Sequence, residues 1–469
     1  MTLYLVGIDN GSQSTKVSIF DERGTVVSRG RRPLRPNHTP RPGVVEHPDD
    51  DLWTSIGAAC REAMASFDGD PGDIAAVGLC TIRFCRALLR ADGTLAAPVL
   101  SWMDDRVSRP YEHTDPAVAR VTTSSGYITH RLTGEFRDTA ANYQGAWPID
   151  TDTWQWRDDT GGVPREMLFD LVMPGEVLGT VTASAAERTG LPAGLPVVAT
   201  ANDKAVEALG SGLREPGSLL LSLGTYIAGM TTGSRNVRNA TGFWTNFGCV
   251  PGEYLYESGG IRRGMWTVSW LRELFGEEVA RAAREAGLSP EQYLDDGASR
   301  VPAGSDGLMT VLDWLAPTEK PHRKGAFLGF DGRQGRFHLH RSVLEAIALT
   351  MVEHAGAMAA ELGTEFSRVI VSGGGAEADV MMRIIADVFG LPASRRANNG
   401  AALGAAITAG VGLGLFPDAD EAAATMLATP EVFTPNPDNH HLYTRLREIH
   451  RDITYHTDQI FHRSTTLFG

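Results

Sequence analysis

Cysteine is scarce: there are four in 469 residues, at positions 60, 80, 85 and 249. Four so scattered build neither a disulfide framework nor a zinc site, which points to a reducing compartment. Cys80 and Cys85, flanking a strand turn, read as small core residues. Long apolar runs are missing as well. No window approaches eighteen uninterrupted apolar residues, so no membrane span is expected. Asp9 interrupts the first apolar segment, and no basic stretch precedes it, so a secretory signal is not expected either. A cytoplasmic protein is the default. Basic charge is in deficit: 43 Lys and Arg stand against 57 Asp and Glu, a net charge of −14. That balance argues against a general nucleic-acid binder, although one basic groove fits inside an acidic total.

What is present describes a soluble globular chain, with 42% hydrophobic and 21% charged residues. Its length exceeds a single core, so two or more domains are expected.

The most informative stretch is Leu5 to Phe20. An apolar strand ends at Asp9, a polar turn follows (Asn10, Gly11, Ser12, Gln13, Ser14, Thr15, Lys16), and Val17 and Ile19 alternate along a second strand. Oriented turn amides, hydroxyls and the Lys16 ammonium suit a phosphate. Asp9 beside a phosphate needs a divalent cation between them, and Mg²⁺ held through water would supply it. Asn-Gly is also the commonest signal of an ordinary hairpin, so that reading stands beside the first.

A third strand is expected over 25–30, then a proline-punctuated irregular excursion over 31–47. Asp49-Asp50-Asp51 reads as the cap and acidic first turn of a helix whose apolar face is Leu52, Trp53, Ile56, Ala59, Cys60 and Ala63. Ile74 to Cys80 reads as a buried strand. Pro98 to Arg106 places Trp102, Asp104, Asp105 and Arg106 at a strand end, where an α/β protein contacts ligands, or else on a surface ion-pair patch. The Trp-rich stretch 146–162 has no readable role.

Leu195 to Gly210 is a strand running into a helix at Asn202-Asp203, which puts the Asp203 carboxylate at a helix N-terminus, as a site residue or a plain cap. Ser218 to Met230 then repeats the opening pattern of strand, glycine-hydroxyl turn and strand, through Ser222, Gly224 and Thr225. Two domains of similar construction, each offering a phosphate hairpin to a shared cleft, are the expectation. Helices are predicted over 264–275 and 341–362, with Glu345 and His354 in structural roles, and a polar surface helix from 435. Gly373-Gly374-Gly375 between a strand and a helix admits a ligand to the backbone, but the fingerprint for a dinucleotide is incomplete. The small residues of Asn399 to Ile407, including Ala402, allow close helix packing or room for a planar ring.

The ordered set of these segments resembles the FGGY family of carbohydrate kinases: Gly7 to Lys16, Trp102 to Arg106, Asn202-Asp203, Ser222 to Thr225, Gly325 to Gly329 before Arg341 to Glu345, Gly373 to Gly375, and Ala402 to Ala406. It spans nearly the whole chain. The resemblance implies an α/β fold of two actin-like (ribonuclease H-like) domains flanking an ATP/sugar cleft, 1–215 holding the sugar and 216–469 the ATP. It implies ATP and Mg²⁺ as cofactors, a small-molecule sugar or polyol as acceptor, and a homodimer. Carried over by position, Asp203 matches the catalytic base and Asp9 the residue near Mg²⁺. Ser12 to Lys16 match the first phosphate hairpin, Gly224 and Thr225 the second, and Gly374, Gly375 and Ala402 the adenosine site. Arg83, Trp102 and Asp104 fall where the family contacts its sugar. Pentulose kinases look nearer than glycerol kinases, so a ketose such as xylulose is expected.

Three departures bear on the substrate. Ile82-Arg83-Phe84 replaces the family's usual polar run, Lys204 follows the base where a small or amide residue is usual, and the segment between Arg106 and Ser125 is short. Arg83 and Lys204 together motivate an acidic or otherwise unusual polyol as a second expectation. A non-catalytic ATP-binding switch of the same superfamily is the alternative to a kinase.

Overall fold

The computed structural model describes residues 2–317, 320–398 and 400–468. Six strands form the first sheet: β1 (Tyr4–Asn10), β2 (Ser14–Asp21), β3 (Val26–Pro33), β4 (Ile74–Thr81), β5 (Val177–Thr180) and β6 (Pro196–Ala199), in the order β5-β6-β4-β1-β2-β3. β1, β2 and β3 are successive antiparallel neighbours, while β4 joins β1 and β6 joins β4 in parallel. Buried on both faces, the parallel strands read as continuous apolar runs.

Seven strands form the second sheet: β7 (Ser218–Leu223), β8 (Ile227–Gly233), β9 (Phe243–Phe247), β10 (Tyr254–Ser258), β11 (Arg368–Ser372), β12 (Ala393–Arg395) and β13 (Glu431–Phe433), ordered β9-β10-β8-β7-β11-β12-β13. β7 is antiparallel to β8 and parallel to β11, as β1 is to β2 and β4. The repeat read from two hairpins is thus a repeat of whole sheet cores.

Helix α1 (Asp51–Ala65) buries the apolar face that its spacing predicts. Its start differs from expectation. Asp50 stands at the cap position without capping, because its carboxylate accepts from Tyr127 Oη and Arg131 Nη1, both at 2.5 Å and both on helix α2 (Ser124–Thr133). The excursion over 31–47 is more regular than its prolines imply: β3 runs on to Pro33, and His38–Arg41 pairs with Val44–Glu46. Residues 98–104 form no strand. They are joined to the fold by isolated bridges from Leu100 to Glu46 and Arg86. Trp154 buries against Phe247 and Tyr254 of the second sheet, with ring centres 4.5 and 6.0 Å away, while Trp147 and Trp156 pack on Tyr143.

Helix α3 (Asp203–Gly210) follows β6. Helix α4 (Gly264–Glu285) is longer than predicted and broken at Gly276, whose φ of 64° leaves the helical region. Helix α5 (Arg336–Leu362) starts five residues early and holds Glu345 buried, accepting from Arg341 Nε at 2.7 Å, Tyr443 Oη at 2.7 Å and Ser305 Oγ at 2.8 Å. Among the described residues it alone is long and apolar enough to cross a membrane, and more than half of that stretch is buried inside the protein. Helix α6 (Asp379–Phe389) follows the glycine turn after β11.

Helix α7 (Ala401–Gly412) does not stay with the second sheet, although it follows the division expected at 215; it lies on the first, against β1 and β4, and along α3. Gly7 and Gly78 make this possible. A Cβ on Gly7 would overlap the carbonyl oxygen of Ala402, and one on Gly78 that of Ala405. The small residues of α7 therefore serve close packing against the first sheet. Asn399, read as the start of this helix, lies outside the described residues. Helix α8 (Pro437–Phe468) covers the second domain, burying Tyr443, His450 and Thr457.

Candidate active site

The turns after β1 and β7 face one another. Gln13 Nε2 donates to Thr225 Oγ1 at 3.4 Å, joining residues 212 apart in sequence. Thus Gln13 and Thr225, from the two hairpin turns, meet at one place. Asp9 and Lys16 are cross-strand partners in the β1–β2 ladder, and Lys16 Nζ stands 3.7 Å from Asp9 Oδ2. The lysine is half-exposed, so the pair contributes less than about 1 kcal/mol and yields readily to a stronger ligand.

Not every hydroxyl of the first turn points outward. Thr15 is fully buried, its Oγ1 accepting from Asn10 Nδ2 and sharing a hydrogen bond with Ser55 Oγ, both at 2.6 Å. Ser14 is buried too, while Gly11, Ser12, Gln13 and Lys16 keep exposure. The reason is strand alternation, which sends the Thr15 side chain toward α1.

Asn202 caps α3, its Oδ1 accepting from the amides of Lys204 and Ala205. Asp203 is therefore free of the capping role and is the first helical residue, 29% exposed at its side chain. Burial raises its pKa, against Arg83 and Lys204, which favour the anion. The Asp9 carboxyl is pushed up to about 6 by burial, opposed by Lys16 and reinforced by the charges of Asp203 and Glu207. No group of three or more His, Cys, Asp or Glu stands ready to cage a metal ion among the described residues. An Asp9 oxygen in a carboxylate-rich pocket still fits Mg²⁺, which takes one or two carboxylates and completes its shell with water and phosphate oxygens.

Arg83, on the loop after β4, is held more tightly than its sequence position revealed. Nη1 and Nη2 donate to the two carboxylate oxygens of Glu257 on β10, at 2.7 and 2.9 Å, while Nε lies 3.5 Å from Asp203 Oδ1. Its guanidinium stands over Phe84 and Trp244, 5.2 and 5.0 Å from their ring centres. Burial works against the charged form, but Glu257 and then Asp203 raise the Arg83 pKa further, so it stays a cation. Lys204 is likewise paired, with Nζ donating to Glu207 Oε2 at 2.8 Å and Ser222 Oγ at 2.7 Å.

Asp104 is buried and occupied. It caps the turn at 105–108, accepts from the Val45 amide at 2.8 Å and is forked by Arg106. That geometry gives it a structural task. Trp102 beside it is 48% exposed. In the glycine turn after β11, Gly374 faces open space, whereas a Cβ on Gly375 would crowd Leu223 and Met265.

Glu207 and Glu257 are the residues that motif reading missed. Glu207 lies one helical turn past Asp203, on the same face. Glu257 is an acid inside the buried strand Tyr254–Ser258, a position that requires a cationic partner. Both signals were available in the sequence.

The family model for the FGGY family of carbohydrate kinases, N-terminal domain, matches residues 4–115 and 98–210, and that for the C-terminal domain matches 219–413. An uncharacterized sugar kinase of Escherichia coli K12, YgcE, is 50% identical over 468 residues, covering 98% of this chain and 95% of its own. Autoinducer-2 kinase of the same organism is 27% identical, with 95% and 93% covered. Among solved structures, the xylulose kinase from Rhodospirillum rubrum superposes with a TM-score of 0.84 at 28% identity, over 98% of this chain and all of that one. Gluconate kinase from Lactobacillus acidophilus shares the fold with a TM-score of 0.83 at 19% identity, over 99% and 100%.

Proposed function

Because the chain belongs to the FGGY family of carbohydrate kinases, with two actin-like domains about a cleft, we propose that it transfers the γ-phosphoryl group of MgATP to a hydroxyl of a neutral ketose or polyol, with Asp203 as the base. A ketose such as xylulose is the first acceptor to try. One observation carries the reading: Asp203 heads α3 beside the place where the turns of the two hairpins meet through Gln13 and Thr225.

Phosphoryl transfer asks the protein for positioning and for neutralisation of spread negative charge. The amides of the two turns, with Gln13, Thr225 and Lys16, face the phosphates. Asp9 would hold Mg²⁺, which would supply positive charge against the phosphates and the crowded carboxylates. Asp203 accepts the hydroxyl proton. Arg83 keeps that carboxylate oriented from 3.5 Å while its other two nitrogens stay on Glu257. A carboxylate is a weak base, and it suffices where the transition state is loose and the proton leaves late.

The acidic acceptor motivated by Arg83 and Lys204 loses its support, because neither cation is free. An acceptor carboxylate would have to displace Glu257 from a buried fork, and leaving such a partner uncompensated costs roughly 3–5 kcal/mol. A neutral polyol makes no such demand. The switch alternative has no use for a base set apart from its cap.

The test is ADP release across a panel of ketoses, polyols and aldonic acids, with Asp203→Ala alongside. Turnover of a neutral acceptor, lost in the variant, supports the reading. An aldonate preferred over every ketose, or Asp203→Ala equal to the parent, refutes it.

A further inference from the structure

Ser222 and Ser372 are register partners in the parallel ladder of β7 and β11. Ser372 ends its strand and Ser222 is one residue from the end of its own, and glycine turns follow, Gly224-Thr225 after one strand and Gly373-Gly374-Gly375 after the other. The two turns touch: a Cβ on Gly373, whose φ is +81°, would crowd the backbone of Leu223. Both seryl hydroxyls donate to one oxygen, Glu207 Oε1, at 2.7 Å each. The other oxygen accepts from Lys204 Nζ, which also donates to Ser222 Oγ.

This carboxylate comes from the other side of the cleft. Glu207 belongs to α3, four residues after Asp203, so the two share a face about 6 Å apart along the axis. Burial favours its protonated form, but Lys204 and the two serines outweigh burial and hold the pKa below the ordinary range. The hub is an anion with each of its hydrogen bonds charge-assisted, the strong kind. Moving either turn without moving α3 would strip a buried charge of its partners.

Resting on the kinase reading above, we propose that Glu207 is a positioning residue for phosphoryl transfer: it ties the helix that carries Asp203 to both nucleotide turns, so that a bound Mg-nucleotide sets the position of the base. Lys204 is the counter-ion that keeps Glu207 charged. This accounts for a lysine directly after the base that contacts Glu207 and Ser222 and leaves the acceptor free. Nothing in this role requires Glu207 to touch sugar or phosphate.

Hydrogen–deuterium exchange on the full-length protein, with and without MgADP, reads the coupling directly. In the parent protein MgADP is expected to slow exchange in the two turns and, by about tenfold or more, in residues 203–210, the scale set by hydrogen bonds to a charged group. In Glu207→Gln and in Ser372→Ala the turns still slow and 203–210 does not. Ser372→Ala removes one hydroxyl and leaves the Lys204–Glu207 pair intact, so it reports even where Glu207→Gln does not fold. In kinetics the variants lose kcat while the acceptor KM stays within about twofold, a split that general destabilisation would not produce. Protection of 203–210 that is the same in parent and variants overturns the inference while leaving the kinase reading intact. MgADP that protects nothing in the parent overturns both.

Discussion

Arg83 and Glu257 form a two-bond fork across the cleft, 2.7 and 2.9 Å long, between residues 174 apart in sequence. The fork leaves only the Arg83 Nε edge for Asp203. How much of the Arg83 charge reaches Asp203 therefore depends on Glu257, a residue of the second sheet.

Glu257→Gln tests that relationship through pH. The negative charge of Glu257 raises the Asp203 pKa, and its removal also frees Arg83 to favour the Asp203 anion. Both effects lower that pKa. The acid limb of kcat/KM is expected to move to lower pH in the variant, and a limb that stays put or rises would contradict the arrangement.

The parent enzyme has its own expected profile. A base must be ionised to accept a proton, and burial raises the Asp203 pKa. Activity is therefore lost as pH falls, with a midpoint above the ordinary aspartate value of about 4. A kcat/KM that holds level down to pH values near 4 would count against Asp203 as the buried base.

Asp203→Asn removes the proton acceptor with little change of shape. General base catalysis of this kind contributes about 10²–10⁴-fold. Acceptor-dependent kcat should fall by that order while MgADP binding, measured by calorimetry, stays within a few-fold. Loss of nucleotide affinity matching the loss of kcat would show a structural defect instead.

Gly78→Ala probes the contact between α7 and the first sheet. The added Cβ meets the backbone carbonyl of Ala405, which no rotamer change can clear. Overpacking of this kind costs about 1–3 kcal/mol. A lower denaturation midpoint is expected, and an unchanged one would mean that the helix gives way freely.

Glu345→Ala should be more damaging than any of these to stability. It strands the buried Arg341 and leaves Tyr443 Oη and Ser305 Oγ without their acceptor. A loss of roughly 3–5 kcal/mol is expected for an uncompensated buried charge, read as early unfolding in urea. Equal unfolding midpoints in parent and variant would refute this structural role.

Strand–turn–strand units over residues 4–21 and 218–233, and a helix that begins at Asp203, were legible because each is a local pattern. Alternation, turn residues and a capping Asn act over a few residues and need no partner. Glu345 was legible as structural for a similar reason, as an acid on a helix that is apolar around it. By contrast the partners of Thr15, read with the phosphate turn, and of Asp104, read with the sugar contacts, were not legible: Ser55 lies 40 residues from Thr15, and the Val45 amide 59 from Asp104.

By itself the sequence determined two strand–turn–strand units of one plan and a helix that begins at Asp203, and its resemblance to a family pointed to Asp203 as the base to test. Tertiary structure alone decided what the charges do. Arg83, Lys204 and Glu207 find partners on the second sheet, up to 174 residues away in the chain, and whether a cation is free or spent depends on the distance to an opposite charge. The small residues of α7 had two uses open to them, and the approach of Gly7 and Gly78 shows the packing use. Such outcomes follow from how two separate sheets are set against each other, and no local pattern records that.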